Sequence, residues 1–248
     1  MDVKGVILAG GTGSRLFPLT QVTNKHLLPV GRYPMIYHPL FRIIECGIRD
    51  ILIVTGREHM GDVVRLLGSG ARFNARFTYK VQDQPGGIAQ ALALAEDFAG
   101  SERILTILGD NVFEDSLVPF ITSYKEQQEG AKLLLKKVDH PERFGVAEVD
   151  GEKILRIIEK PTKPTSSMCV TGIYLFDSQV FNYVKKLVPS ERGEFEVTDI
   201  NNLYIQHSQL TFDVLQGWWT DAGTPESLLR ANQYARQTDL TFSMKEET

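Results

Sequence analysis

Residues 8–31 read LAGGTGSRLFPLTQVTNKHLLPVG and set three glycines, an arginine and a lysine behind a short apolar run. Gly10, Gly11 and Gly13 let the backbone approach an anion closely, and amide N–H groups at the start of a following helix add donors and a partial positive charge. Arg15 offers a planar fork of donors matched to phosphate oxygens, and Lys25 adds a point charge. Two cations beside a nest of amides suit a polyphosphate. Two familiar phosphate loops do not fit. Gly11-x-Gly13-x-x-Leu16 lacks the third glycine of the dinucleotide fingerprint, and Arg15 stands where a P-loop needs Gly-Lys-Ser/Thr. Taken alone the stretch also reads as a tight strand-to-helix turn with solvated charges, so residues elsewhere must decide.

The elements that would position this loop follow from periodicity. Val3–Ala9, Ile51–Thr55, Phe77–Gln82 and Ile104–Leu108 are apolar, β-rich runs. Between them Ile36, Leu40, Ile43 and Ile44, and then Ile88, Ala91, Leu92, Ala95 and Phe98, recur at helical spacing, which predicts a β-α-β-α-β-α-β order and a parallel sheet. Ligands in such sheets bind beyond the carboxyl ends of the strands, where the loops begin GGTG, TGRE, QDQPGG and GDN. From about Ala131 the pattern changes. LLLKKV, GVAEV and ILRIIE are strands, the last two joined at Asp150-Gly151, which predicts a hairpin with a type I′ turn. VTGIYLF is a further strand, SQVFNYVKKL and DINNLYIQH are helical, TFDVLQ is extended, and Thr224-Pro225 caps a final helix. The fold class expected is α/β: a Rossmann-like three-layer α/β/α sandwich with a mainly parallel mixed sheet and a smaller antiparallel portion. One domain over 1–238 is expected, with halves at 1–130 and 131–238, followed by a polar tail at 239–248 that we expect to fray.

Bulk properties narrow the field. In the 248 residues 42% are hydrophobic and 23% charged, as in ordinary globular proteins, and the net charge of −4 argues against a nucleic-acid partner. The two cysteines, Cys46 and Cys169, have neither zinc-ribbon nor disulfide-framework spacing. No apolar window is long enough to span a membrane, so a cytoplasmic protein is expected.

LAGGTGSRLFPLT followed by NKHLLPV resembles the opening of the sugar-phosphate nucleotidyltransferases, whose pattern is G-G-x-G-[ST]-R-L and then K-x-L-L-P. QDQPGGIAQAL, LGDN, PERFGVAE, IEKP, VTGIYLFD, RGEFEVTDIN and WTDAGT follow in the family's order and span nearly the whole chain. The resemblance implies attack by a sugar 1-phosphate on the α-phosphorus of a nucleoside triphosphate, with pyrophosphate released. The nucleophile is already an anion, so such an enzyme must mainly align two polyanions and neutralise them.

By the same resemblance, Arg15, Lys25 and Lys160 carry catalysis. Arg15 holds the β- and γ-phosphates, Lys25 the phosphates at the reacting centre and Lys160 the sugar phosphate. Asp110 and Asp221 hold Mg2+. Leu8, Gly10, Gly11, Gly13, Gln82, Pro85, Gly87 and Asp110 line the nucleotide site; Asn111, Gly145, Glu159, Lys160, Thr171 and Gly172 line the sugar site. The implied substrates are dTTP, with UTP as a second donor, and glucose 1-phosphate; the products are dTDP-glucose and pyrophosphate. A homo-oligomer is implied too. Gln82 is expected to donate to a carbonyl of the base and accept from its N–H, a pairing that thymine and uracil share and cytosine does not match. Ser14, His26 and Phe144 depart from the commonest family residues. The extra C-terminal helical segment of longer members is not expected from the residues after the final helix, which puts their feedback site in doubt. Within the family, a uridylyltransferase or other NDP-sugar pyrophosphorylase is the alternative; outside it, a non-catalytic nucleotide-sugar sensor.

Overall fold

The computed structural model describes residues 2–238, and the expected tail at 239–248 lies outside the described residues. The chain opens with β1 (Val3–Ala9), the small hairpin β2 (Pro29–Val30) and β3 (Tyr33–Pro34), and helix α1 (Tyr37–Glu45). Next come β4 (Asp50–Gly56), α2 (Met60–Leu67), β5 (Arg76–Gln82), α3 (Ile88–Ala93), α4 (Glu96–Ala99) and β6 (Arg103–Leu108). Then follow β7 (Asn111–Phe113), α5 (Val118–Glu126), β8 (Ala131–Lys137), β9 (Gly145–Asp150), β10 (Lys153–Glu159) and β11 (Met168–Phe176). The remainder is α6 (Gln179–Val184), α7 (Val197–Gln206), β12 (Leu210–Val214), β13 (Trp219–Asp221) and α8 (Pro225–Gln237).

A nine-stranded sheet runs in the order β10-β9-β11-β6-β1-β4-β5, with β8 pairing β11 and β12. β6, β1, β4 and β5 are mutually parallel, whereas β11 enters antiparallel to β6. The expected mixed α/β sandwich therefore forms, with the antiparallel strands extending one edge of the parallel sheet. Alternation along β1 explains the layers. Val3, Ile7 and Ala9 enter a core with α1, α2 and α5, while Val6 and Leu8 enter another with α3, α4, α6 and α7. Gly5 lets α1 settle onto the sheet, since a Cβ there would stand 2.7 Å from Ile43 Cγ2.

Two local expectations are corrected. The 88–98 helix breaks into α3 and α4 at Leu94-Ala95. The β9–β10 hairpin forms, but Asp150 pairs with Lys153, so its loop is Gly151-Glu152. Of that pair only Gly151 has positive φ (57°), which is not the type I′ geometry. The final helix starts as expected: Thr224 Oγ1 accepts from Ser227 N, and Ser227 Oγ accepts from Thr224 N, with Pro225 at the first helical position.

Candidate active site

β1 ends at the glycine loop, but the element after it is one 3-10 turn, Ser14–Leu16, rather than the helix start expected. The loop holds its shape through Gly13, whose φ of 67° favours glycine and whose carbonyl accepts from Thr20 Oγ1 at 2.8 Å. Any donors it offers an anion are therefore loop amides and side chains rather than a helix terminus. Lys25 begins a second short turn. Its N-cap is Asn24, whose Oδ1 accepts from His26 N at 2.9 Å while Nδ2 reaches Ala9 O at 3.4 Å, tying the lysine to the end of β1. His26 is buried behind it with Nδ1 2.7 Å from Asn24 Oδ1; burial and then the neighbouring Lys25 charge lower its pKa to about 3, so it is neutral and structural.

Asp110 follows β6 and Asp221 closes β13. Asp221 pairs with Asn111 in the two-stranded β7–β13 ladder, and Ala222 N donates to Asp110 O at 2.8 Å, so residues remote in sequence share one edge of the site. Lys25 Nζ lies 2.5 Å from Asp110 Oδ2. Burial opposes ionisation of Asp110, but the Lys25 charge and the hydrogen bonds from Lys25 and Asn111 prevail and hold it well below the usual carboxylate range. Asp221 behaves oppositely. Burial and then the Asp110 charge push it up to about 6, although Arg143, with NH2 3.4 Å from Oδ2, pulls the other way.

An ionised Asp110 beside a buried Asp221 whose ionisation it disfavours is a place for a dication. A Cβ on Gly223 would lie 3.5 Å from Asp110 Oδ2, 3.7 Å from Asp221 Oδ2 and 3.1 Å from Arg15 NH2, so glycine keeps open the space that all three face. Among the described residues no group of three or more His, Cys, Asp or Glu side chains could hold a metal alone. The fit is to a hard cation that draws its other ligands from phosphate and water.

Two clefts meet here. One of about 340 Å3 is lined by Leu8, Gly10, Gly11, Gly13, Gln82, Pro85 and Gly87 together with Arg15, Lys25, Asp110 and Lys160. The other, about 160 Å3, is lined by Asn111, Gly145, Glu159, Thr171, Gly172 and Asp221, again with Arg15, Asp110 and Lys160. The structure thus brings all the residues named from sequence to one of two adjoining clefts, and Arg15, Asp110 and Lys160 stand at their junction. Arg15 is exposed and makes no hydrogen bond or ion pair among the described residues. Lys160 has φ of 41° before Pro161, an unusual conformation for a non-glycine residue, held by its N–H donating to Phe144 O at 3.0 Å.

In the smaller cleft Glu159 Oε2 accepts from Thr198 Oγ1 at 2.6 Å, and Oε1 lies 3.5 Å from Arg192 NH2. Gly145 admits this pair, since a Cβ there would stand 3.2 Å from Thr198 Oγ1. Two side chains named for the sugar are committed internally. Thr171 Oγ1 donates to Leu134 O at 2.7 Å, so its hydroxyl has no proton left to donate to a ligand. Asn111 Oδ1 accepts from Gly172 N at 2.9 Å and Trp219 Nε1 at 2.7 Å, and Nδ2 donates to Asp110 Oδ1 at 3.1 Å. Phe144, one of the departures from the commonest family residues, packs edge-on against Trp219 with ring centroids 5.3 Å apart.

At the far end of the larger cleft Gln82 Nε2 donates to Gln90 Oε1 at 2.8 Å and Gly87 O at 3.2 Å, so the expected donation from Gln82 to a base does not match its geometry. Arg143, Arg192 and Gln90 were not assigned roles from sequence. Each lies inside a matched segment, PERFGVAE, RGEFEVTDIN and QDQPGGIAQAL, and a cation or amide within those segments was the available signal.

An α/β sheet carrying two clefts that meet at Arg15, Asp110 and Lys160, with Lys25 on one side and Asp221 on the other, has the charges of a phosphate-handling protein. The profile of the Nucleotidyl transferase family matches residues 4–238, and the chain belongs to that family. It is 41% identical over 238 residues to glucose-1-phosphate thymidylyltransferase of Neisseria meningitidis, covering 94% of this chain and 83% of that protein. The protein of the same name from Xanthomonas campestris is 42% identical over 235 residues, covering 93% and 80%. A candidate glucose-1-phosphate thymidylyltransferase from Bacillus anthracis, solved with sucrose, is 60% identical with a TM-score of 0.94 over 98% of both chains. UDP-glucose pyrophosphorylase solved with UDP-glucose, at 22% identity and a TM-score of 0.84 over 96% of this chain and 100% of that one, shares the fold.

Proposed function

We propose that this enzyme transfers a thymidylyl group from dTTP to glucose 1-phosphate, giving dTDP-glucose and pyrophosphate. The observation that carries this reading is the junction: a nucleotide-sized cleft and a smaller one share Arg15, Asp110 and Lys160. The relatives' names supply the substrates.

A phosphate oxygen of the sugar attacks the α-phosphorus, one P–O bond forms, and the bond to the β-phosphate oxygen breaks in line with it. No general base is needed, because the attacking oxygen is already ionised. The protein's task is to hold two anions together against repulsion. Arg15 binds the departing β- and γ-phosphates, Lys25 sits where charge gathers at the α-phosphate, and Lys160, fixed by its backbone, holds the sugar phosphate. Glu159 accepts from the sugar hydroxyls. Asp110 and Asp221 would hold Mg2+, which when bound supplies positive charge shared between the phosphates. The 1–130 half binds the nucleotide and the 131–238 half the sugar phosphate. The enzyme works in the cytoplasm as a homo-oligomer. No helix among the described residues is long and apolar enough to cross a membrane.

Thymine and uracil differ by one methyl group, worth about 1–3 kcal/mol in a pocket, so UTP is a secondary donor. Pyrophosphate release over a matrix of nucleoside triphosphates and sugar 1-phosphates with Mg2+ tests the proposal. The expected maximum is dTTP with glucose 1-phosphate. A clear preference for UTP would make it a uridylyltransferase, and no release in any combination would leave a sensor.

A further inference from the structure

The base end of the nucleotide cleft contains a relay that phosphate chemistry does not use. Gln82 closes β5 and is only 8% exposed. A primary amide has two N–H donors and one carbonyl acceptor, and both carbonyls within reach of Gln82 Nε2, Gln90 Oε1 at 2.8 Å and Gly87 O at 3.2 Å, take its donors. Its Oε1 is turned the other way, over Gly10, where any Cβ would overlap it. Gln82 therefore presents an acceptor to the cleft.

What sets that orientation is not Gln82 itself. Gln90, in the first turn of α3, does not line the cleft, and its Oε1 also accepts from Gly86 N at 3.0 Å. A backbone N–H can only donate, so Gly86 fixes which end of the Gln90 amide faces the loop. Gln90 Oε1 can then only accept from Gln82. Reversing Gln82 would set its oxygen against two carbonyl oxygens and take its donor from Gly87 O, a cost the site avoids by holding one orientation.

We propose that Gln90 is a positioning residue for base selection: through it the Gly86 N–H compels Gln82 to show the incoming pyrimidine an acceptor only. This deepens, and rests on, the function proposed above. Thymine and uracil carry N3–H and donate to Gln82 Oε1. Cytosine carries an unprotonated N3 in the same place, so two acceptors would face each other. Selection between pyrimidines thus originates in a backbone amide and passes through two side chains to the base.

The test compares kcat/KM for dTTP and dCTP, each with glucose 1-phosphate, in the wild type, Gln90→Met and Gln90→Glu. Methionine has similar length but no acceptor oxygen of comparable strength, whereas glutamate keeps one for both Gln82 Nε2 and Gly86 N. The dTTP-to-dCTP ratio should fall at least about tenfold in Gln90→Met and remain within about threefold of wild type in Gln90→Glu. Gly86→Ala supplies an independent variant, because its Cβ would overlap the Gln90 amide, and it should lower the ratio in the same direction. A merely structural Gln90 would lower both substrates together and leave the ratio alone. A wild type selective for dTTP whose ratio survives both Gln90→Met and Gly86→Ala overturns the inference and leaves the function standing. A wild type that releases no pyrophosphate from dTTP overturns the function, and the inference with it.

Discussion

The two clefts are built on opposite plans. The phosphate end of the nucleotide cleft is mostly backbone, with Gly10, Gly11 and Gly13 as its floor and Arg15 exposed and unpaired among the described residues. The sugar cleft is a network already closed on itself: Glu159 is held by Thr198 and Arg192, Arg192 reaches Glu196 at 2.8 Å, and Asn111 ties Gly172 to Trp219. Under the proposed function, the difference follows from what each cleft receives. A triphosphate brings its own charge, so a cation left without a partner, as Arg15 is among the described residues, gains most when it arrives. A sugar offers only hydroxyls, and discriminating among them requires donors and acceptors fixed beforehand. Loss of a group should therefore cost rate at the first cleft and affinity at the second.

The largest effect is predicted at Lys25. Lys25→Gln should lower kcat more than about a hundredfold, the scale of a lost charge-stabilising donor, with circular dichroism unchanged. Near-normal turnover would remove Lys25 from the reacting centre and weaken the contrast drawn between the clefts.

Asp221→Asn is predicted to separate function from stability. The Mg2+ concentration for half-maximal activity should rise about ten- to a hundredfold, because one of two carboxylate ligands is gone. Metal-free protein should instead become more stable at neutral pH. The sign follows from linkage: a carboxyl raised to about 6 in the fold is protonated there while still ionised in the unfolded chain, so stability falls as pH rises from about 4 to 6 and stays lowered above that. The variant lacks this loss. Its melting temperature without metal should exceed wild type by a few degrees at pH 7.5, on the order of 2 kcal/mol, and match it near pH 4. Equal melting at both pH values would show that the two acids do not oppose each other.

The same contrast explains how much could be read from sequence. The nucleotide half was legible because its devices are local: an apolar run followed by glycines, Arg15 and Lys25 within one stretch, and strands at β1, β4, β5 and β6 whose expected bounds fall within a residue of those formed. Elements of the second half were legible from pattern too, but its site residues and the carboxylates proposed for metal were reachable only through the ordered motifs of the family. No periodicity says that Asp221 pairs across from Asn111, or that Thr198 on α7 meets Glu159 at the end of β10. Both meetings join residues tens of positions apart in the chain and have no local signature. The Gln82 orientation failed for another reason. Residue type gives an amide's capacities, but only its neighbours decide which of them remain for a ligand.

Thr198→Val offers the mildest and most discriminating break. The Thr198 hydroxyl donates to Glu159 Oε2 at 2.6 Å, and valine preserves shape while removing that donor. Glu159 would keep only the more distant Arg192 and Lys160, at 3.5 and 3.6 Å from its other oxygen, so its carboxylate would lose the fixed position from which it accepts from a sugar hydroxyl. KM for glucose 1-phosphate should rise about tenfold, equivalent to roughly 1.4 kcal/mol, while KM for dTTP and kcat stay within about threefold. If kcat falls instead and KM holds, the sugar network acts on the transition state rather than on binding. The division of labour between the clefts would then be wrong, because Glu159 would belong with Lys25 and Arg15 as a group whose interactions strengthen only as the new P–O bond forms.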